Sequence, residues 1–135
     1  MIKVKDIYDY INEVSPYDIQ CDWDNCGLLV GDMNKEVKRI GVCLDATLAT
    51  LESAKEKNAD MIVTHHPVIF AAQKSFTKGN IAFEAASSGI SVVSAHTCLD
   101  CAEGGVNDVL CEILGIENAV GIESEDCKAP MARIG

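Results

Sequence analysis

Apolar positions change their period several times along this chain, and each change marks an element. Over residues 3–14, Ile7, Tyr10, Ile11 and Val14 fall at helical spacing, and Pro16 follows. That spacing predicts an amphipathic helix ending before the proline. GLLVGD (27–32) predicts a short strand stopped by Gly31 and Asp32. From residue 39 onward, apolar runs alternate with helical patterns. RIGVCLD (39–45), DMIVT (60–64) and ISVVSA (90–95) read as buried strands. ATLATLESAKEKN (46–58), capped by Thr47, reads as a helix, as do NIAFEAASSG (80–89) and GVNDVLCEILG (105–115), which end on Gly89 and Gly115.

Strands that are apolar nearly throughout must be covered on both sides. Their alternation with helices predicts an α/β fold, a mostly parallel sheet with helices on both faces. The 135 residues are one domain's worth of chain, and no repeat or linker interrupts them. ESEDCKAPMARIG (123–135) reads as a charged loop and an apolar fragment that simply stops, so the chain looks truncated.

Composition narrows the function classes. With 48% hydrophobic and 24% charged residues the balance is that of a soluble globular protein. A net charge of −10 argues against nucleic acid or an anionic membrane as the main partner. No apolar run approaches the roughly 20 residues that span a bilayer, and the amphipathic start is not a secretory signal. A cytoplasmic location is the expectation. Seven cysteines, an odd number with Cys43 and Cys111 inside apolar runs, read as reduced thiols rather than a disulfide framework.

The chemistry gathers at the strand ends. In open α/β sheets the ligand crevice lies beyond the carboxyl ends of the strands. The first of the three strands ends at Asp45, the second at His65 and His66, and the third at His96, with Asp100 just beyond. All three histidines in the chain therefore fall on one predicted edge. Neighbouring side chains in a strand point to opposite faces, but at a terminus, with Pro67 holding His66 extended, the two rings can splay towards two ions. A bridging carboxylate is then needed, and Asp100 is the natural choice. Imidazole with carboxylate suits zinc, iron, manganese or nickel without choosing among them.

Blander readings compete at several positions. A strand-end histidine is often only a hydrogen-bonded structural residue, and His96 stays open between ligand, partner of a ligand and structural residue. Asp45 reads as a turn residue or an acid behind a ligand, and Asp22 and Asp24, flanking Trp23, as turn formers. CLDC (98–101) is a C-x-x-C motif able to bind zinc or exchange disulfides. A redox role would leave the histidine pair unexplained.

The segments WDNCGLLVGD, VCLDAT, DMIVTHHPVIF, SAHTCLD and GGVNDVL, in this order, resemble the Nif-three-like dinuclear metal centre family, the GTP cyclohydrolase type 2 homologues. The resemblance implies an α/β fold with two divalent metal ions held between two halves of a longer chain, residues 1–135 being the N-terminal half. It implies His65, His66 and Asp100 as metal ligands, with His96 close to them. The family usually shows Asn where this chain has Cys98. It also implies a histidine and a glutamate from a C-terminal half, and a ring-like homo-oligomer.

Two functions follow as expectations. The first is a metal-dependent hydrolase, GTP cyclohydrolase-like by resemblance, in which His65 and His66 hold separate ions, Asp100 bridges them and His96 is catalytic, orienting a ligand or moving a proton. The second is a non-catalytic metal-binding and oligomerisation module, or one half of a split enzyme whose C-terminal half is a separate chain. Ligand counting leaves each ion one protein ligand short of an open catalytic site, so weak metal occupancy is expected for this chain alone.

Overall fold

In the computed structural model, which describes residues 1–135, a four-stranded sheet has the order β1-β4-β3-β2. Its strands are β1 (Gly27–Val30), β2 (Ile40–Cys43), β3 (Met61–Thr64) and β4 (Ser91–Ser94). β2, β3 and β4 run parallel, with Cys43, Thr64 and Ser94 in register at their carboxyl ends. β1 runs antiparallel to β4, and Gly27 pairs with Ser94. Five helices accompany the sheet: α1 (Val4–Val14), α2 (Leu48–Glu56), α3 (Ile81–Ser87), α4 (Thr97–Cys101) and α5 (Val106–Leu114). None is long and apolar enough to cross a membrane.

The expected two-sided cover is present, and strand alternation creates it. Ile62 and Val92 face one side and pack with Val30, Leu51 and Ala54 of α2, and Ala82 and Ala85 of α3. Met61 and Val93, one residue earlier and later, face the other side and pack with Val4 of α1, Tyr17, Val37 and Cys98. Burial of each large side chain contributes roughly 1.5–3 kcal/mol. The helix ends follow local chemistry. Thr47 Oγ1 accepts from the Thr50 amide, Asn80 Oδ1 accepts from the Phe83 amide, and Gly115 closes α5 in the left-handed region at φ 68°.

Three features depart from the expectations. The strand over 39–45 is not buried: β2 is the sheet's outer edge, has one neighbour, and leaves Val42 81% exposed. The apolar fragment near residue 135 is half of a hairpin, β5 (Val120–Ile122) pairing antiparallel with β6 (Ala132–Ile134). Finally, the thiols are not all free, since Cys21 and Cys127 form a disulfide. The bonded pair is brought together by tertiary folding across a sequence separation of 106, which no local spacing announces.

Candidate metal centre

Three parallel strands in register deliver their carboxyl ends to one edge, and the residues just past those ends converge there. His65 and His66 follow β3, and their amides continue the ladder by donating to Cys43 and Leu44 carbonyls. His96 precedes α4, two residues after β4. The ring centroids are 5.1 Å apart for His65 and His66, 5.2 Å for His65 and His96, and 5.5 Å for His66 and His96. Ligand-capable nitrogens of all three lie within 4.8 Å of one another.

Each ring is held by its Nδ1. His65 Nδ1 is 3.0 Å from the Ala95 carbonyl oxygen, which only accepts, so Nδ1 carries the proton. His66 Nδ1 donates to Asp45 Oδ1 at 2.6 Å, and His96 Nδ1 to Asp24 Oδ1 at 2.9 Å. Anchoring through Nδ1 leaves the other ring nitrogen for a ligand, the arrangement seen when a ring binds a metal and its other nitrogen is fixed by a carbonyl or carboxylate. Asp100 Oδ1 stands 3.5 Å from His65 Nε2, with α4 supplying the position. The donor set of imidazoles and a carboxylate fits a borderline divalent cation.

Asp24 is the anchor with the most built around it. Its side chain is fully buried, and burial alone would raise its pKa. Hydrogen bonds from the Thr97 hydroxyl, the His96 ring and the amides of Asn25 and Thr97 outweigh that and hold the carboxyl down at about 2. The antiparallel direction of β1 makes this contact: its amino end, not its carboxyl end, lies at the histidine edge, so residues 24–26 enter the site. Cys26 Sγ also accepts from the His96 amide at 3.3 Å. Trp23 and Phe70, about half exposed, pack edge-on to His96 at 6.3 and 6.4 Å between centroids and form an aromatic rim.

The structure thus gathers His65, His66, His96 and Asp100. Asp45 sits behind His66 as the acid partner that its sequence position allowed. Asp24, read as a turn former, supports His96 across 72 residues, and Asp22 makes only a backbone bond to Asp126 there. No local signal marked Asp24, because the stretch Asp22–Asn25 has the composition of an ordinary turn. Cys98 is buried beside Cys26 and keeps that thiol protonated, its own hydrogen bond from Cys26 favouring the thiolate form.

Comparison with known proteins identifies the family and the fold. Residues 2–135 match the family model Duf34/NIF3 (NGG1p interacting factor 3). A GTP cyclohydrolase 1 type 2 homolog of Clostridium acetobutylicum is 36% identical over 138 residues, covering 99% of this chain and 52% of that protein. A protein of the same description from Methanocaldococcus jannaschii is 37% identical, over 87% of this chain and 49% of that one. Among solved structures, reduced HcgD from Methanocaldococcus jannaschii superposes with a TM-score of 0.85 at 32% identity, over 93% of this chain and 52% of that chain. A Bacillus cereus protein related to NIF3 gives 0.83 at 30% identity, over 90% and 35%. The chain spans about half the length of the curated relatives it matches. It belongs to the Duf34/NIF3 family.

Proposed function

We propose that this chain supplies the amino-terminal ligands of a two-metal hydrolase centre, with His65, His66 and Asp100 as direct ligands of divalent cations and His96 beside them. The observation that carries the reading is the clustering of the rings: three imidazoles, each tied through Nδ1 to a separate acceptor, bring one ring nitrogen each within 4.8 Å of the others. Divalent ions bound there supply Lewis-acid polarisation and activate water near neutral pH. The residues of the chain prepare that chemistry. The Ala95 carbonyl, Asp45 and Asp24 fix the tautomers, and Asp24 remains ionised at neutral pH and so keeps His96 Nε2 available to hold a ligand or to accept and return a proton. Trp23 and Phe70 form the apolar edge against which a planar substrate would lie.

The names of the relatives suggest a GTP cyclohydrolase-like ring opening as the reaction. No Walker-type Gly-rich pattern occurs in the sequence, so a nucleotide would be held by the cations and the rim. A second reading, a metal-binding module in which further ligands come from another polypeptide or another copy, is favoured by the ligand count and by the half-length match. Zinc or manganese titration of the chain with its Cys21–Cys127 disulfide intact, followed by assays of GTP and phosphoester hydrolysis, separates them. Hydrolysis that disappears in His65→Ala and His66→Ala supports the enzyme. Metal binding that disappears in the same variants, with no turnover in the wild type, supports the module. Undiminished metal binding in both variants would overturn the assignment of the ligands.

A further inference from the structure

Four sulfur atoms meet at a place that the function proposed above does not use. Cys21 follows the short 3-10 turn Tyr17–Ile19, Cys101 ends α4, and Cys127 and Met131 lie between β5 and β6. The three cysteine Sγ atoms are within 4.8 Å of one another. Met131 Sδ is 3.9 Å from Cys21 Sγ and 3.6 Å from Cys101 Sγ. Two sulfurs on one tetrahedral ion, with bonds of about 2.3 Å, stand about 3.8 Å apart, close to the two Met131 separations; Cys21 and Cys127 are instead joined in the disulfide. Cys21 and Cys101 are buried, and Cys127 is half-buried, leaving a route for a small ion.

The gathering does not depend on the disulfide alone. Cys21 and Cys127 face each other in an isolated antiparallel bridge, and the Asp22 amide donates to the Asp126 carbonyl at 2.8 Å. Asn107 Nδ2 donates to the Met131 carbonyl at 2.7 Å, and Arg133 Nη2 to the Cys101 carbonyl at 3.3 Å. These bonds add to the sulfur bridge in holding the loop against α4 and α5. Arg133, ion-paired with Asp108, stands beside the cluster through its bond to the Cys101 carbonyl.

We propose that Cys21, Cys101, Cys127 and the Met131 thioether form a soft-metal site of the zinc class, distinct from the imidazole cluster and available when the Cys21–Cys127 disulfide is reduced. Thiolate and thioether donors select such ions over the hard cations that carboxylates prefer. A dithiol reductant opens the bridge: it gives two electrons and two protons, Cys21 and Cys127 become thiols, and the dithiol becomes a disulfide. A divalent ion then binds three thiolates, releases three protons to solvent and leaves a complex of net charge −1. The bridged and metal-bound forms exclude each other. A hydrogen-bonded chain joins the two sites, since the Cys21 amide donates to Thr97 Oγ1 at 3.0 Å and Thr97 bonds Asp24, the anchor of His96.

Cobalt(II) titration of the whole chain, anaerobic and reduced with dithiothreitol that is then removed, tests the site. One equivalent per chain is expected to produce the near-ultraviolet thiolate-to-cobalt charge-transfer absorption, and zinc is expected to bleach it. The oxidised chain is expected to lack it, and His65→Ala/His66→Ala to retain it, since imidazoles give no such band. Cys127→Ser, in a half-buried loop, and Met131→Leu guard against misfolding of the buried Cys101→Ser. Cys127→Ser is expected to weaken zinc binding by at least the roughly 10–100-fold that loss of an outer partner costs. Absence of the band in the reduced wild type, or its persistence at full strength in both Cys101→Ser and Cys127→Ser, would overturn the proposal.

Discussion

Asp24 shows how one buried carboxylate serves a site from 72 residues away. It accepts from the His96 ring and from both the hydroxyl and the amide of Thr97, so an amide in its place would turn a donor towards donors. Asp24→Asn is expected to lower divalent-cation affinity by about 10–100-fold, as loss of an outer partner of a ligating histidine does. Competition against a fluorescent chelator measures it. Asp45→Asn is expected to cost less, because the His66–Asp45 pair is about half exposed and water replaces the lost bond. A larger loss from Asp45→Asn than from Asp24→Asn would mean that burial does not set the strength of these anchors. At this scale the histidines were legible because they are few and sit at strand ends. Asp24 was not, because DWDN looks like any turn until its partner is known.

At the scale of elements, α4 carries Asp100 and Cys101 towards two different neighbourhoods, and its exit is tightly packed. A Cβ on Gly105 would stand 2.0 Å from the Leu99 carbonyl oxygen and 2.8 Å from that of Ala102, both backbone atoms. Gly105→Ala is expected to cost about 1–3 kcal/mol by overpacking and to weaken metal binding by displacing Asp100, with urea denaturation and metal titration as the readouts. At the start of β3, Asp60 accepts from the amides of Lys38 and Arg39 at 2.8 and 2.9 Å, which lower its pKa. A carboxyl depressed in the folded state adds stability above its unfolded pKa, about 3.9, and loses it as pH falls towards the folded value. The stability gap between wild type and Asp60→Ala is therefore expected to be full at neutral pH and to shrink below about pH 4. A gap independent of pH would show that the ionised carboxylate is not what holds residues 38 and 39. The long helices and central strands were legible from period and caps, down to Thr47. Five-residue α4 is too short to show a period, and the β5–β6 hairpin is held by pairing across the loop rather than by a strong apolar pattern.

For the molecule as a whole, the Cys21–Cys127 bridge ties the amino-terminal segment to the last hairpin. Closing a loop that long removes much of the unfolded chain's freedom, and reduction is expected to lower the unfolding free energy by about 2–4 kcal/mol. Denaturation with and without reductant measures this, and Cys127→Ser is expected to be indifferent to reductant. Metal stoichiometry belongs to the same scale. With one histidine per ion and a shared Asp100, equilibrium dialysis is expected to find fewer than two tightly held ions per chain. Two tight sites of imidazole character would mean that His96 and other residues complete both shells within this chain.

The order of apolar and polar positions was enough to determine an α/β sheet covered on both faces, and to put every histidine at a strand's carboxyl end, because periodicity and caps act over a few residues. Only the tertiary structure decided which strand lies at the edge, that β1 runs backwards and so delivers Asp24 to His96, and that Cys21 meets Cys127. Those outcomes rest on contacts between segments up to 106 residues apart. Their energies depend on strand order and packing, which no local pattern encodes.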